Sequence, residues 1–406
     1  MELSNDFFDT LPDDIVVQIV VYESIQNISK LCQISRRFNN LICNNNNFWR
    51  WKFIYDFGSP SINIISWKEA YKTYGRVIGF GSNIWGQLGL PLGACPLDNN
   101  RNLLNVKARS VSCGYGYTMI IDLENNVWAF GSNYYGQLGL GDNLNRDIPI
   151  RILNMKAKFI SCGYYHTMMI DLDNNVWAFG RNECGQLGLP LDTCPLDNHP
   201  NRNTPIQIPN IKAKSISCGK YHTIMIDFNN NVWAFGHNRF GQLGLPLDAC
   251  PLDDNRNRYI PTQIPNMKAK SSSCGYTHTI IIDIDNNVWA FGWNDFGQLG
   301  LGDKENRNIP NQILNIRAKS ISCGEHHTMI IDMDNNVWAF GNNKSGQLGL
   351  NDNENRNTPV QIFNMEVRSI SCGGYHTMII VCPNQQSESN IRLIPFNETV
   401  INVSNF

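Results

Sequence analysis

From Val77 onward, short apolar runs alternate with short polar ones, and the same words return each time. VWAFG begins at Val127, Val176, Val232, Val288 and Val337, with the variant VIGFG at Val77. Each copy leads through a residue, an Asn and two variable positions into GQLGL. A second apolar phrase, ISCGYYHTMMI at Ile160, has cognates from Val111, Ile216, Ser272, Ile321 and Ile370. A polar DLDNN or a variant separates the two. Successive starts of the first phrase lie 50, 49, 56, 56 and 49 residues apart, and such a period marks a repeat architecture. Runs rich in Val, Ile, Trp and Phe, bounded by Gly, Asn and Asp, read as strands. The short DxDNN favours antiparallel hairpins over a parallel coil. One unit then reads strand KSISCG, strand HTMII, turn, strand VWAFG, loop GQLGLGDN, strand TPVQI.

Four short strands in ~50 residues, with no helix-length period between them, make one blade of a β-propeller. The expected fold is therefore mainly β. The tail SNIRLIPFNETVINVSNF reads as a degenerate strand pair, IRLIPF standing for VWAFG and TVINVS for AKSISC. The count is six four-stranded blades, or seven with a composite incomplete one. Pairing the two ends would remove exposed strand edges. Units 1, 3 and 4 carry insertions, LPLGACPLDNN, LPLDTCPLDNH and LPLDACPLDDN, and unit 1 drops its TPxQI residues.

Residues 1 to about 75 lack the repeat and change period. IVVQIVVYESI puts Ile15, Val16, Ile19 and Val20 on one helical face, behind a Pro12 suited to a first turn. NISKLCQISRRFNNLI spaces Ile28, Leu31, Ile34 or Ser35, Phe38 and Leu41 by three or four residues. SWKEAYKTY offers Ser66 as a cap with Glu69 three residues on. The expected division is a small all-α domain over 1–58, a linker helix over 59–76, and the repeats over 77–406.

Charge narrows the function. With 33 basic and 35 acidic residues the net charge is −2, which argues against nucleic-acid binding through a basic surface. No apolar run approaches the ~18 residues of a membrane span. MELSNDFFDT has neither the basic nor the apolar part of a secretion signal. The expected location is cytoplasmic or nuclear. Six of the 13 cysteines recur one per unit as SCG and read as buried thiols in a reducing compartment. The abundant Asn, as in NNNNF, reads as compositional bias without chemistry.

Equivalent positions in repeats see equivalent neighbours. Trp128, Trp177, Trp233, Trp289 and Trp338 therefore read as core between blades. His166, His222, His278, His327 and His376 each precede a Thr and read as structural hydrogen-bonded pairs. They stand one blade apart, too far for a shared ion with bonds of ~2.0–2.1 Å. Cys95, Cys194 and Cys250 lie one per insertion, so no metal site is expected there either. Asp171, Asp227, Asp283 and Asp332 read as turn caps. No P-loop, HExxH, GxSxG or paired CxxC occurs, so neither catalytic residues nor a cofactor is expected.

Function should then sit where the copies disagree, in two windows. The one after FGxN offers Trp85, Tyr134, Tyr135, Phe240 and Phe296. The one after SCG offers Tyr164, Tyr165, Tyr221, Tyr276 and Tyr375. Loop aromatics among scattered charges have the composition of protein-binding hot spots.

VWAFGxNxxGQLGL…SCGxxHTMII resembles the regulator-of-chromosome-condensation repeat over about 77–381, a family of propellers usually of seven blades. LPDDIVVQIVVYESIQNISKLCQISRRFNNLICNNNNFWRWKF, residues 11–53, resembles an F-box, with the leading Leu-Pro and the closing Trp49. Together the parts resemble F-box proteins with such repeats, found in eukaryotes and large viruses of amoebae. The F-box resemblance implies docking on a Skp-type adaptor of a cullin ubiquitin ligase through Leu11, Pro12, Ile15, Ile19, Leu31, Ile34, Phe38 and Leu41. The chain would be a non-catalytic receptor whose loops hold a target protein, with no nucleic acid or membrane as partner. The alternatives are a scaffold with a non-functional F-box, or an exchange factor for a small GTPase.

Overall fold

The structure, a computed structural model, describes residues 28, 41–42, 44–57, 76–78, 82–90, 103–190, 200–246, 256–362 and 367–381. Several expectations fall outside them: the helix over Ile15–Val20, the Ser66–Glu69 cap, the three insertions and the tail strand pair. So do Leu11, Pro12, Ile15, Ile19, Leu31, Ile34 and Phe38.

Helix α1 spans Asn46–Phe57. Its start is set by Asn45, whose Oδ1 accepts the N–H of Asn47 at 3.0 Å and of Phe48 at 3.3 Å. This satisfies donors that a helix N-terminus leaves free. The Asn run is thus not without chemistry. Phe48 and Trp49 are buried and meet edge to face at 5.4 Å. Ile28 and Ile42 are buried as well, and Leu41 is half-buried.

The strands are β1 (Arg76–Ile78), β2 (Leu103–Cys113), β3 (Tyr117–Asp122), β4 (Asn126–Gly131), β5 (Arg146–Cys162), β6 (His166–Asp171), β7 (Asn175–Gly180), β8 (Arg202–Cys218), β9 (His222–Asp227) and β10 (Asn231–Gly236). They continue with β11 (Arg258–Cys274), β12 (His278–Asp283), β13 (Asn287–Gly292), β14 (Arg307–Cys323), β15 (His327–Asp332), β16 (Val337–Gly341), β17 (Arg356–Gln361), β18 (Val367–Cys372) and β19 (Thr377–Val381). The chain divides into two compact units, residues 1–134 with 143–160, and residues 135–142 with 161–406.

In the first unit β2 pairs with β1 and β3, and β4 pairs with β3 and with the first part of β5, all antiparallel. β2 has 11 residues where β5, β8, β11 and β14 each have 17, as the missing TPxQI residues require.

The second unit corrects the reading of TPxQI and KSISC as separate strands. They form one strand that serves two sheets. In β11, Arg258 to Lys268 pair with β10, from Gly236↔Arg258 to Asn231↔Lys268. From Ala269 the same strand pairs with β12, from Ala269↔Asp283 to Cys274↔Thr279. β8 changes partner between Lys212 and Ala213, and β14 between Arg317 and Ala318.

The core lies between successive sheets. Ile224, Ile226, Val232 and Ala234 of β9 and β10 pack with Ile281 and Phe291 of β12 and β13, with Trp289 at the flank. The repeated Trp is therefore not the deepest residue. Phe179, Phe235, Phe291 and Phe340, two positions on, are at 0% exposure, while the Trp residues are half-buried. The reason is polar. The Trp233 Nε1–H donates to Asp227 Oδ2 at 3.0 Å and draws the ring towards the turn.

That turn recurs at Asp122, Asp171, Asp227, Asp283 and Asp332. Asp227 Oδ1 accepts the N–H of Asn229 and of Asn231 at 2.8 Å each, and Oδ2 also accepts Asn231 Nδ2 at 2.8 Å. Burial pushes the Asp227 carboxyl up, yet these bonds together hold its pKa below the usual carboxylate value. Asn230 adopts φ 64°, a left-handed conformation that Asn tolerates. The expected Asp caps are thus present, and the Asn beside them has a conformational task.

The His–Thr pairs form between neighbouring units rather than within one. His222 Nε2 lies 3.1 Å from Thr279 Oγ1, and that hydroxyl donates to the Gln242 carbonyl at 2.8 Å. With its proton so engaged, Thr279 accepts from His222, fixing the Nε2–H tautomer. His278 reaches Thr328 in the same way. Burial lowers the His166 and His222 pKa values to about 3, so both rings are neutral at pH 7. Gly219 leaves room for the ring, since a Cβ there would lie 2.1 Å from His222 Cε1.

A series of Ser–Cys hydrogen bonds links the SCG segments. Cys274 N–H donates to Ser217 Oγ at 2.9 Å and the Cys274 thiol to the Ser217 carbonyl at 3.3 Å. Burial pushes the Cys274 pKa up to about 12, which makes it an inert structural thiol.

Candidate protein-binding surface

Antiparallel topology sorts each unit into two ends. The DxDNN turn closes the hairpin at one end. At the other, the two residues after SCG enter the hairpin and the residues after FG leave it. Backbone bonds tie these windows together: Arg181 N–H to the Tyr165 carbonyl at 2.9 Å, His237 to Tyr221 at 2.8 Å, Trp293 to Thr277 at 2.9 Å. Others join one unit to the next, Lys220 N–H to the Tyr276 carbonyl at 3.2 Å and Tyr276 N–H to that of Glu325 at 3.1 Å.

The frame around the variable residues is fixed. Gln242 Oε1 accepts the Phe240 N–H at 3.0 Å, and Asn238 Oδ1 accepts that of Leu243 at 3.0 Å. Gln186 and Asn182 do the same for Cys184 and Leu187. Gly241, at φ 83°, would place a Cβ 2.5 Å from the Asn308 Cα, so this loop lies directly on the next strand. Variable side chains thus stand on a backbone pinned by these Gln and Asn side chains.

Within the second unit they converge. Tyr135 stacks on Tyr165 at 4.8 Å, and Tyr165 meets Tyr164 edge-on at 4.7 Å. Tyr164 reaches Tyr276 at 5.7 Å and Tyr221 at 6.3 Å. Tyr276 continues to His326 at 5.3 Å, and His326 to Trp293 at 4.9 Å and Phe296 at 5.2 Å. Phe240 closes the group against Trp293 at 6.0 Å and His237 at 6.2 Å. All are half-buried. Three cations lie over the rings, the outermost being Arg239, 5.9 Å from the Phe240 centroid. The Arg181 guanidinium is 4.9 Å from the Tyr135 centroid and 5.0 Å from that of Tyr221, and it pairs with Glu183. The Lys220 ammonium is 3.9 Å from the Tyr276 centroid and 4.9 Å from that of Tyr221.

Seven sequence candidates, Tyr135, Tyr164, Tyr165, Tyr221, Phe240, Tyr276 and Phe296, share this one surface. Tyr375 is 60% exposed and bonds Glu325, which raises its pKa. Trp85 and Tyr134 belong to the first unit. Trp85 packs on Tyr115 at 5.7 Å, and Tyr134 is 63% exposed. Sequence reasoning passed over Arg181, His237 and Trp293. All three are the x of FGxN, which reads Ser82, Ser132, Arg181, His237, Trp293 and Asn342 along the chain. That variation was the available signal.

The turn end carries a cleft of about 500 Å³ lined by Pro246, Ile264, Met267, Ile284, Trp289 and Ile309. Its Asp283 carboxylate is already engaged by Asp285, Asn287 and Trp289. Among the described residues no cluster of His, Cys, Asp and Glu could hold a metal, and no helix is long and apolar enough to cross a membrane.

The arrangement defines a mainly β, propeller-like repeat protein with a variable aromatic surface on a constant frame. A family model described as "RCC1-like domain" matches residues 69–379, and one described as "F-box-like" matches residues 8–55. The chain belongs to the RCC1-like family, with an F-box-like domain ahead of the repeats. It is similar to the ultraviolet-B receptor UVR8 of Arabidopsis thaliana, 31% identical over 61% of this chain and 52% of the relative. An RCC1 domain-containing protein of Dictyostelium discoideum is 40% identical over 49% of this chain and 44% of its own length. The chain thus spans about half the length of these relatives. Yeast RCC1 (Prp20), solved bound to Kap60, aligns over 77% of this chain and 79% of that one, with a TM-score of 0.63 and 22% identity. At that identity the likeness concerns the fold.

Proposed function

We propose that the chain is a non-catalytic substrate receptor of a Skp–cullin–F-box ubiquitin ligase. The F-box-like domain points to a ligase-adaptor role and the RCC1-like domain to protein binding. The finer reading assigns adaptor docking to Leu11, Pro12, Ile15, Ile19, Leu31, Ile34, Phe38 and Leu41, and target capture to the aromatic loops. The observation that carries it is the convergence of variable aromatics from successive units onto one surface, in a chain that also bears an F-box-like domain. A stable contact buries ~800 Å² on each partner. The ubiquitin-transfer chemistry belongs to other subunits.

The test is capture of a purified Skp-type adaptor by the full chain, beside a Leu11→Ala/Pro12→Ala variant with an unchanged melting curve. Capture by the unaltered chain and its loss in the variant are expected. A well-folded chain that captures no adaptor would leave a scaffold and remove the receptor.

A further inference from the structure

Over its rings the loop surface holds two cations without a carboxylate partner among the described residues, the exposed Arg239 over the single ring of Phe240 and the half-buried Lys220 among several rings. Arg181 is compensated by Glu183. Lys220 is not. Its ammonium donates to the Tyr276 hydroxyl and lies over the rings of Tyr276, Tyr221 and Tyr164, at 3.9, 4.9 and 5.2 Å from their centroids. Among the described residues no carboxylate comes within ion-pair distance of it. The acid on the adjoining loop, Glu325, accepts the Tyr375 hydroxyl. Burial lowers the His326 pKa, the neighbouring Glu325 opposes that, and the charge of Lys220 adds to the lowering.

Ring faces attract a cation through their quadrupole, but they do not cancel its charge. The tyrosines therefore act as a clamp. They hold the ammonium in one place and keep part of it from water, which raises the value of a charge-assisted bond to an arriving anion. Lys220 is the one unpaired cation that several rings hold in place, and its single charge matches a carboxylate. A phosphoryl group would bring about −1.5 to −2 and need further cations. The rings of Tyr164 and Tyr276 beside the ammonium, with Tyr165 against Tyr164, offer area to an apolar or aromatic side chain.

Resting on the reading that these loops hold the target, we propose that the surface takes an acidic peptide segment. One carboxylate of that segment pairs with Lys220, and a neighbouring apolar side chain lies across Tyr164, Tyr165 and Tyr276. Lys220 then sets specificity by charge, and the rings supply contact area.

The test is selection from a displayed library of random linear peptides on the full chain, with adaptor capture measured on the same preparation. Enriched peptides should carry Asp or Glu beside an apolar residue. Their synthetic forms should bind more weakly as salt rises. Lys220→Glu should weaken them by about tenfold or more, a ~1.4 kcal/mol change, with Lys220→Gln in between. Phe228→Ala, at the turn end, should leave them unchanged. Enriched peptides without acidic residues, or acidic ones indifferent to Lys220→Glu, overturn the proposal and leave a target-binding surface of other specificity. No enrichment on a chain that still captures adaptor overturns both the acidic segment and the binding surface while sparing the ligase role.

Discussion

The two ends of the second unit's sheets follow opposite rules. At the turn end, Asp171, Asp227, Asp283 and Asp332 each bond the same four donors, at 2.8 to 3.0 Å, and the left-handed Asn recurs. At the loop end, equivalent positions hold Arg181, His237 and Trp293, or Lys220, Tyr276 and Glu325. Both ends sit on the same strands. The difference lies in what each side chain must satisfy. Turn residues complete the backbone hydrogen bonding, so no other residue serves. Loop residues stand above a backbone already pinned by Gln186, Gln242 and Gln298, so they are free to differ.

The contrast can be broken most sharply at the frame. Phe235→Ala empties a fully buried site and should cost about 3–5 kcal/mol, read as a lower midpoint in urea unfolding. Removing a ring from the loop end should do far less to stability and more to binding.

Acid tests the neutral histidines. Their pKa values are lower in the folded chain than the ordinary 6.5, with His166 and His222 near 3 and His327 near 4. The unfolded chain therefore binds more protons below pH 6.5. Stability should be full above that value and fall as pH drops towards 4, by up to about 1.4 kcal/mol per pH unit for each ring. A His222→Gln variant should show a shallower fall in melting temperature between pH 6.5 and 4.5. An unchanged slope would mean that the ring is not held neutral.

The smallest stability effect belongs to the loop end. Tyr276→Ala gives up its ring contacts with Tyr164 and His326, about 1 kcal/mol, while loosening the clamp on Lys220. Thermal melting and peptide affinity, measured on one sample, should move in unequal measure.

The blade unit was legible because short apolar runs bounded by polar turns, returning at a fixed period, leave a mark in every copy. The aromatic surface was partly legible for the same reason, since differences stand out against a constant text. Arg181 and Trp293 escaped because they lie inside a phrase that looks constant. Continuity of β8, β11 and β14 was hidden too, because Pro and Asn, as in Pro265 and Asn266, read as punctuation. There the chain keeps pairing while it passes from one sheet to the next. The partner of each His was also beyond sequence, since the Thr beside it in the text is not the Thr it meets in space.

Those shared strands bear on how the chain yields to mechanical force. Beads on a string come apart singly, because their connectors carry no load. Here the connector is itself the last strand of one sheet and the first of the next. A motor pulling on β11 would strip β10 and β12 of partners together, so tension applied at one sheet reaches its neighbours before any sheet has opened.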